Sequence, residues 1–204
     1  MLAISHGYIL ATFFNATPAE VSDGASWYGR ASESSVLIAC RYSLPMNTVA
    51  GVIAALSPNN KWERNVVDAE QLCRAFTLGG HSAADKIKVS TYNANKIKAL
   101  RILSGELPLS VLGGLKVRAF YSCIMGESSS VTVDGHAYAI WLGQRIPTTK
   151  APKISAKLYA VIASDYVKAA ATINQIMGTD YSGAHIQAIT WLTYRRMVAQ
   201  LGLY

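Results

Sequence analysis

The chain has 204 residues, of which 51% are hydrophobic and 15% are charged, and its formal net charge is +7. This composition excludes a disordered protein, and no run of about 18 consecutive apolar residues is present that could span a bilayer. The length predicts a single globular domain covering residues 1–204, built on one core or on two small lobes.

The N-terminal sequence and the cysteine content do not indicate a secreted or a metal-binding protein. Residues 1–16, MLAISHGYILATFFNA, lack a basic start and a small-residue cleavage site, so we expect a cytoplasmic protein. The cysteines Cys40, Cys73 and Cys123 are odd in number and show no CxxC spacing. They predict reduced, buried thiols and no iron–sulfur cluster, zinc site or other cofactor.

Apolar residues recur at three- and four-residue intervals through most of the chain, which predicts an all-α fold. At Thr17-Pro18 a capping residue precedes a first-turn proline, a strong sign of a helix start. A basic loop over residues 144–153 lies within the same domain. The predicted helices cover residues 3–14, a segment from Thr17, then 32–43, 46–57, 61–80 and 90–106, a segment restarting near Lys116, a segment from Asp134 to Leu142, then 155–177 and 182–201.

Positive charge is concentrated between residues 86 and 118. Seven basic residues lie there against Glu106 as the single acid. Such an excess favours a polyanionic partner, although lysines on a solvated helix face have the same appearance. The basic residues are Lys86, Lys88, Lys96, Lys98, Arg101, Lys116 and Arg118.

The stretch LGGLK, which ends at Lys116, has a glycine pair, Gly113 and Gly114, between two apolar helical segments. Backbone N–H groups in such a hairpin can grip a phosphate, because the missing side chains allow a close approach and the next helix points its positive end forward. A plain turn between helices has the same sequence. The sequence is compatible with both a phosphate-binding hairpin and a plain turn.

Asp134 lies in the stretch VTVDGH, between a short apolar run and the next apolar helix. An aspartate before a helix is a common N-cap. Acids are scarce here, however, and Asp134 follows Lys116 by 18 residues, a spacing that one helix and a return segment can close. A catalytic role is the alternative, and His136 in the next turn is either a structural hydrogen-bonding residue or a general base.

Residues 48–143 resemble the helix-hairpin-helix DNA glycosylases of the endonuclease III type, also called the HhH-GPD superfamily. That family has a hairpin L-P-G-V-G-x-K/x-T-A, then a helix, then V-D-T-H. Here LGGLKVRAFYSCIMGESSSVTVDGH has the same order and nearly the same spacing. Upstream, VIAALSPNNKWERNVVDAEQL resembles the family's LLSxQxxxxxxNxAxxxL helix pair.

The resemblance implies a two-lobed, all-helical glycosylase-like fold, completed by residues 144–204, that binds double-stranded DNA. It implies that Asp134 is catalytic and that Lys116 is either a nucleophile or a phosphate contact. Asn59, with Asn60 beside it, matches the residue that enters the DNA where a base has left. The remaining DNA-binding candidates are Gly113, Gly114, Arg118, His136 and Arg195.

The departures from the family pattern define the expected reaction. The hairpin lacks the proline and the second spaced glycine, VDGH replaces VDTH, and no cysteine cluster follows. These differences are similar to those of phage-associated relatives that act on hypermodified thymines in a bacterial host cell. We therefore expect a glycosylase-like enzyme acting on a flipped, modified base. The alternatives are an amino acid or amine:DNA transferase acting on an activated 5-hydroxymethyl pyrimidine in phage DNA, and a non-catalytic DNA-binding module.

Overall fold

The computed structural model describes residues 6–146 and 152–200. Within these residues the chain forms eleven helices and no strand, so the prediction of an all-α fold is confirmed. No single helix in the described ranges is long and apolar enough to cross a membrane. The helices are α1 Gly7–Phe14, α2 Pro18–Ala25, α3 Trp27–Tyr42, α4 Met46–Leu56, α5 Trp62–Asp85, α6 Asn93–Leu103, α7 Pro108–Val111, α8 Leu115–Ile124, α9 Gly135–Leu142, α10 Ala156–Met177 and α11 Gly183–Ala199.

Most helix positions follow the sequence prediction, and the differences have local causes. α3 begins at Trp27 rather than at residue 32, and α6 is shorter at both ends than predicted. α5 does not end at Gly79-Gly80 as predicted. The helix is kinked there, where Gly80 has φ +66°, and helical turns then continue to Asp85. The predicted helix over residues 3–14 and the loop over residues 144–153 lie partly outside the described residues.

The helices divide into two compact units. The terminal unit combines the chain up to Tyr28 with the chain from Glu127 onward, and the central unit is continuous from Gly29 to Gly126. The expectation of a single domain stays a prediction. Each unit has its own core, described below.

In the terminal unit, α11 packs against α1, α2, α9 and α10. Its closest approach is to α2, where a Cβ on Gly24 would lie 2.5 Å from the Cα of Ile189. Glycine at this position therefore lets the two helices touch through their backbones. Arg196 of α11 joins the same contact, because its Nε donates to Glu20 Oε1 of α2 over 2.7 Å.

The central unit is built around α4, which contacts α5, α6, α7 and α8. Every residue of α4 from Val49 to Leu56 is buried, as its nearly uninterrupted apolar sequence requires. The thiols of the unit are not all buried, which corrects the prediction for the cysteines: Cys73 and Cys123 are buried but Cys40 is exposed. Burial raises the pKa of Cys73 to about 12, so that thiol stays protonated.

Candidate active site

The segment before Asp134 is held by two tyrosines of the terminal unit. The Tyr159 hydroxyl accepts from the Val133 N–H over 3.0 Å and donates to the Val131 carbonyl over 2.8 Å. The Tyr28 hydroxyl lies 2.9 Å from the side-chain oxygens of both Thr132 and Gln187. Val131 and Val133 are each 2% exposed, so this short segment is anchored in the core. The anchoring fixes the position of Asp134, which follows directly.

Asp134 is the N-cap of α9. Its Oδ1 accepts from the Ala137 N–H over 2.8 Å, so the capping role that the sequence indicates is present. Its Oδ2 lies 3.6 Å from His136 Nδ1. The Asp134 side chain is 24% exposed, so the carboxylate is fixed by its cap and is still accessible from solvent.

Aromatic side chains of α11 surround His136. The imidazole meets Trp191 and Tyr194 edge-on, with ring centroids 6.2 and 5.8 Å apart. The guanidinium carbon of Arg195 lies 4.5 Å from the centre of the Trp191 ring. One continuous cluster in the terminal unit, Asp134–His136–Trp191–Arg195, thus joins a carboxylate to an exposed cation.

Tyr166 lies beneath the start of α9 and is completely buried. Its hydroxyl donates to the Ala137 carbonyl over 3.3 Å. Burial raises the pKa of Tyr166 well above its usual value, and the negative charge of Asp134 adds to the increase. Tyr166 therefore supports the site as a neutral hydroxyl and does not act as a base.

A cavity of about 220 Å³ lies nearby in the terminal unit, between α1, α9 and α11. It is lined by residues such as Tyr8, Gly143 and Tyr194, and Asp134 and His136 are not among its lining residues. This cavity is therefore separate from the Asp134 carboxylate. No group of three histidine, cysteine or acidic side chains in the described ranges has the arrangement of a metal site.

In the central unit, Asn59 and Asn60 lie in a loop that is tied down at several points. Asn59 has φ +56°, is exposed, and donates from Nδ2 to the Tyr92 hydroxyl over 3.0 Å. Asn60 donates to the buried carboxylate of Asp68 over 3.2 Å, and the Ser90 N–H donates to the same Asp68 oxygen over 2.7 Å. The loop therefore presents Asn59 and Tyr92 together in a fixed position.

The predicted hairpin joins α7 to α8 in the central unit. Gly114 is the N-cap of α8, has φ +78°, and supplies no side chain to the first-turn N–H groups. Lys98 lies alongside, with Nζ 3.6 Å from where a Cβ on Gly113 would be. Lys116 and Arg118 are exposed on α8. The hairpin thus combines open backbone donors with nearby cations.

Two of the seven basic residues of the 86–118 segment are neutralised by ion pairs. Lys96 pairs with Asp85 over 3.4 Å, and Arg101 pairs with Glu106. The other five form no ion pair with any described residue, so the segment keeps most of its charge for a partner. These five are Lys86, Lys88, Lys98, Lys116 and Arg118.

The candidate residues are divided between the units. Asp134, His136 and Arg195 belong to the terminal unit, and the other candidates, from Asn59 to Arg118, belong to the central unit. Tyr28 and Tyr159, which hold the Asp134 segment, were not among the residues predicted from the sequence. Isolated tyrosines in amphipathic helices carry no local signal of such contacts.

Comparison with protein families adds a membership. A family model described as a family of unknown function, DUF7178, matches residues 5–198. The chain belongs to this family. The matched residues belong to both units of the chain. No curated protein and no solved structure matches the chain.

Proposed function

We propose that this protein binds double-stranded DNA and acts on a base that has rotated out of the duplex, with Asp134 as the catalytic carboxylate. The observation that carries the proposal is the environment of the Asp134 carboxylate. One oxygen is fixed by the α9 cap, the preceding segment is anchored by Tyr28 and Tyr159, and the carboxylate remains accessible. This combination of a fixed position and access from solvent is what a catalytic carboxylate requires.

The chemistry suits a fixed negative charge. As a glycosidic bond breaks, positive charge develops on the deoxyribose, and a preorganised carboxylate lowers the energy of that state. The same carboxylate can instead orient an incoming nucleophile. Because Asp134 is already held by its hydrogen bond to Ala137, little reorganisation is needed when the charge develops.

The central unit supplies the proposed DNA contacts. Extruding a base costs a few kcal/mol, which contacts to backbone phosphates and a residue that fills the gap can offset. Lys116, Arg118 and the N–H groups of Gly113-Gly114 are assigned to phosphates, and Asn59 to the gap. Lys116 is exposed and so lacks the burial that usually activates a lysine nucleophile, which favours the phosphate role.

The proposal extends to the fold class. The order of α7, a glycine hairpin, α8, a return segment and then Asp134 before α9 is the order of the helix-hairpin-helix glycosylases. We accordingly propose that the chain is a divergent relative of that superfamily, without an iron–sulfur cluster.

Mass spectrometry of the DNA products tests the reaction. Duplexes containing normal bases, damaged bases, 5-hydroxymethyl pyrimidines or activated 5-hydroxymethyl pyrimidines, whose hydroxyl carries a phosphate ester that can leave when an amine attacks, are incubated with the protein, with and without a pool of amino acids. Release of a free base and an alkali-labile site is the result expected for a glycosylase. A heavier nucleoside that requires the amino acid pool indicates the transferase instead. Unchanged DNA in every reaction, despite binding, would leave a DNA-binding module and contradict the catalytic proposal.

A further inference from the structure

Arg195 differs from its neighbour Arg196 in how its charge is used. Arg196 is paired with Glu20 through two hydrogen bonds of 2.7 and 3.2 Å. Arg195 is exposed and forms no ion pair with any residue in the described parts of the chain. Its contact is with the Trp191 ring, one helical turn earlier on the same face of α11.

A guanidinium lying over an indole is held in place without being neutralised. The contact uses the face of the guanidinium, and its N–H donors lie around the edge, where they can bind an anion with two parallel hydrogen bonds. Because the stacked side chain has already lost rotamer freedom, binding a ligand costs less entropy. Trp191 thus prepares Arg195 for an anion.

The surroundings of Arg195 leave room for an anion in the same unit as Asp134. Arg195 and Arg196 line a shallow hollow of about 330 Å³ with Leu192 and Ala199. Trp191 also meets the His136 ring edge-on, and His136 lies beside the Asp134 carboxylate. An anion bound at Arg195 would therefore lie at one end of the side-chain cluster that has Asp134 at its other end.

We infer that Arg195, positioned by Trp191, binds a backbone phosphate of the DNA on which Asp134 acts. Trp191 is then a positioning residue rather than a catalytic one. This inference rests on the proposed function, because a phosphate at this place is meaningful only if DNA is the substrate.

The test compares salt dependence of DNA binding in a set of variants. The dissociation constant for a labelled duplex is measured by fluorescence anisotropy over a range of salt concentrations, and thermal unfolding is measured in parallel. The variants are Arg195→Ala, Arg195→Lys, Trp191→Leu, Trp191→Phe and the double variant Arg195→Ala/Trp191→Leu. The matched control is Lys157→Ala, an exposed cation of α10 in the same unit.

Removal of one phosphate contact lowers the magnitude of the slope of log K against log salt by about 0.9. We expect that loss in Arg195→Ala, with affinity about tenfold weaker. We expect Trp191→Leu to lose most of the same affinity, and the double variant to be no weaker than Arg195→Ala, since both changes remove one interaction. Trp191→Phe, which keeps an aromatic face, and Lys157→Ala should bind nearly as the unchanged protein does. Arg195→Lys should keep the slope and lose part of the affinity.

Each negative result in these binding measurements contradicts a different claim. If the unchanged protein does not bind DNA, both the proposed function and this inference are wrong. If binding depends on salt and on Lys116 but Arg195→Ala keeps the full slope, the phosphate site is wrong and the proposed function stands. Additive effects of the two single substitutions would overturn the positioning role of Trp191, and so would a Trp191→Leu protein that binds normally.

Inorganic phosphate distinguishes DNA from a small anionic ligand. Binding is measured with sodium phosphate and with sodium chloride at equal ionic strength. Equal inhibition by the two salts supports a site for the DNA backbone. Stronger inhibition by phosphate that disappears in Arg195→Ala would overturn the backbone assignment and make the site one for a free phosphate group.

Discussion

At the residue scale, the two oxygens of Asp134 are in different environments. Oδ1 receives the Ala137 N–H and so holds the first turn of α9, whereas Oδ2 lies toward His136. A capping aspartate and a catalytic aspartate are therefore not exclusive descriptions of this residue. They differ in what the negative charge is needed for, and substitution can separate the two.

Asp134→Asn removes the charge and keeps the cap. Asparagine caps a helix about as well as aspartate, so we expect the free energy of unfolding to fall by less than about 1 kcal/mol. The rate of base release or transfer should fall at least about a hundredfold, or roughly 2.7 kcal/mol of transition-state stabilisation, while DNA affinity stays level or rises. Single-turnover rates and thermal unfolding measure the two effects. An active Asp134→Asn protein, with a stability loss confined to Asp134→Ala, would leave Asp134 with the cap alone.

Lys116 offers a second prediction at the same scale. A lysine nucleophile forms an imine with the sugar, and borohydride reduces that imine to a stable protein–DNA adduct. Because Lys116 is exposed on the first turn of α8, we expect no adduct under conditions in which base release or transfer is complete. A trapped adduct that disappears in Lys116→Gln would reassign Lys116 from phosphate contact to nucleophile.

At the scale of the elements, α11 connects the parts of the terminal unit. It packs on four other helices and also carries Trp191 and Arg195, so the same helix organises the core and holds the cation that the Trp191–His136 contact links to Asp134. Its contact with α2 has two components that can be tested separately, a close backbone approach and an ion pair.

The close approach predicts a strong effect of adding one carbon atom. In Gly24→Ala the new Cβ would lie 2.5 Å from the Ile189 backbone, and backbone cannot rotate aside, so we expect a loss of about 1–3 kcal/mol in the free energy of unfolding. Gly29→Ala is the control, since a Cβ on Gly29 of α3 meets nothing within 4 Å and alanine is the better helix former. Urea unfolding curves should separate the two variants, and equal stability of both would show that the helices do not touch at Gly24.

The ion pair predicts an acid-sensitive contact. Burial pushes the pKa of Glu20 upward, but the hydrogen bonds from Arg196 and Thr17 outweigh it and the pKa is lowered overall. The stabilisation from Glu20 is therefore complete above its unfolded pKa and is lost as the pH falls through its lower folded pKa. Glu20→Gln should lower the melting temperature at pH 7 and reduce the difference between pH 7 and pH 3. Glu33→Gln, an exposed change on α3, should preserve that difference, and a Glu20→Gln protein with unaltered acid sensitivity would contradict the assignment.

Local signals explain what could be predicted from the sequence. The Thr17-Pro18 start of α2 is a genuine capping box closed by Glu20, and the glycine pair at residues 79–80 does break the helix. The contact of His136 with Trp191 joins residues 55 positions apart, and the tyrosines that hold the Asp134 segment come from α3 and α10. Such contacts depend on how helices pack, which the periodicity of one helix does not encode.

At the scale of the whole molecule, the positive residues behind the net charge of +7 are concentrated in one segment of the chain. Five unpaired cations of the central unit fall within residues 86–118, and the ordered hairpin lies among them in the sequence. A solvated helix face would show the same count of charges. Only a response to DNA and salt distinguishes the two.

We expect DNA affinity to weaken steeply as salt increases, because each phosphate contact releases bound counterions. Lys116→Ala and Arg118→Ala should each reduce the magnitude of the log–log salt slope by about one unit. Lys157→Ala serves as the control for a change in overall charge. Binding that is independent of salt, or equal slopes in all three variants, would exclude this surface as the DNA contact.

The division of the chain into a continuous unit and a discontinuous one also sets an order of assembly during translation. From residue 28 to the start of α11 at residue 183 the ribosome must add 155 residues, which takes about 8–30 s at about 5–20 residues per second. The central unit is complete well before that, whereas the helix that carries Trp191 and Arg195 is made after every other described helix. A message cut short before α11 would therefore encode the basic central unit with no assembled carboxylate site. If the proposed function is correct, such a fragment would compete with the full-length protein for DNA.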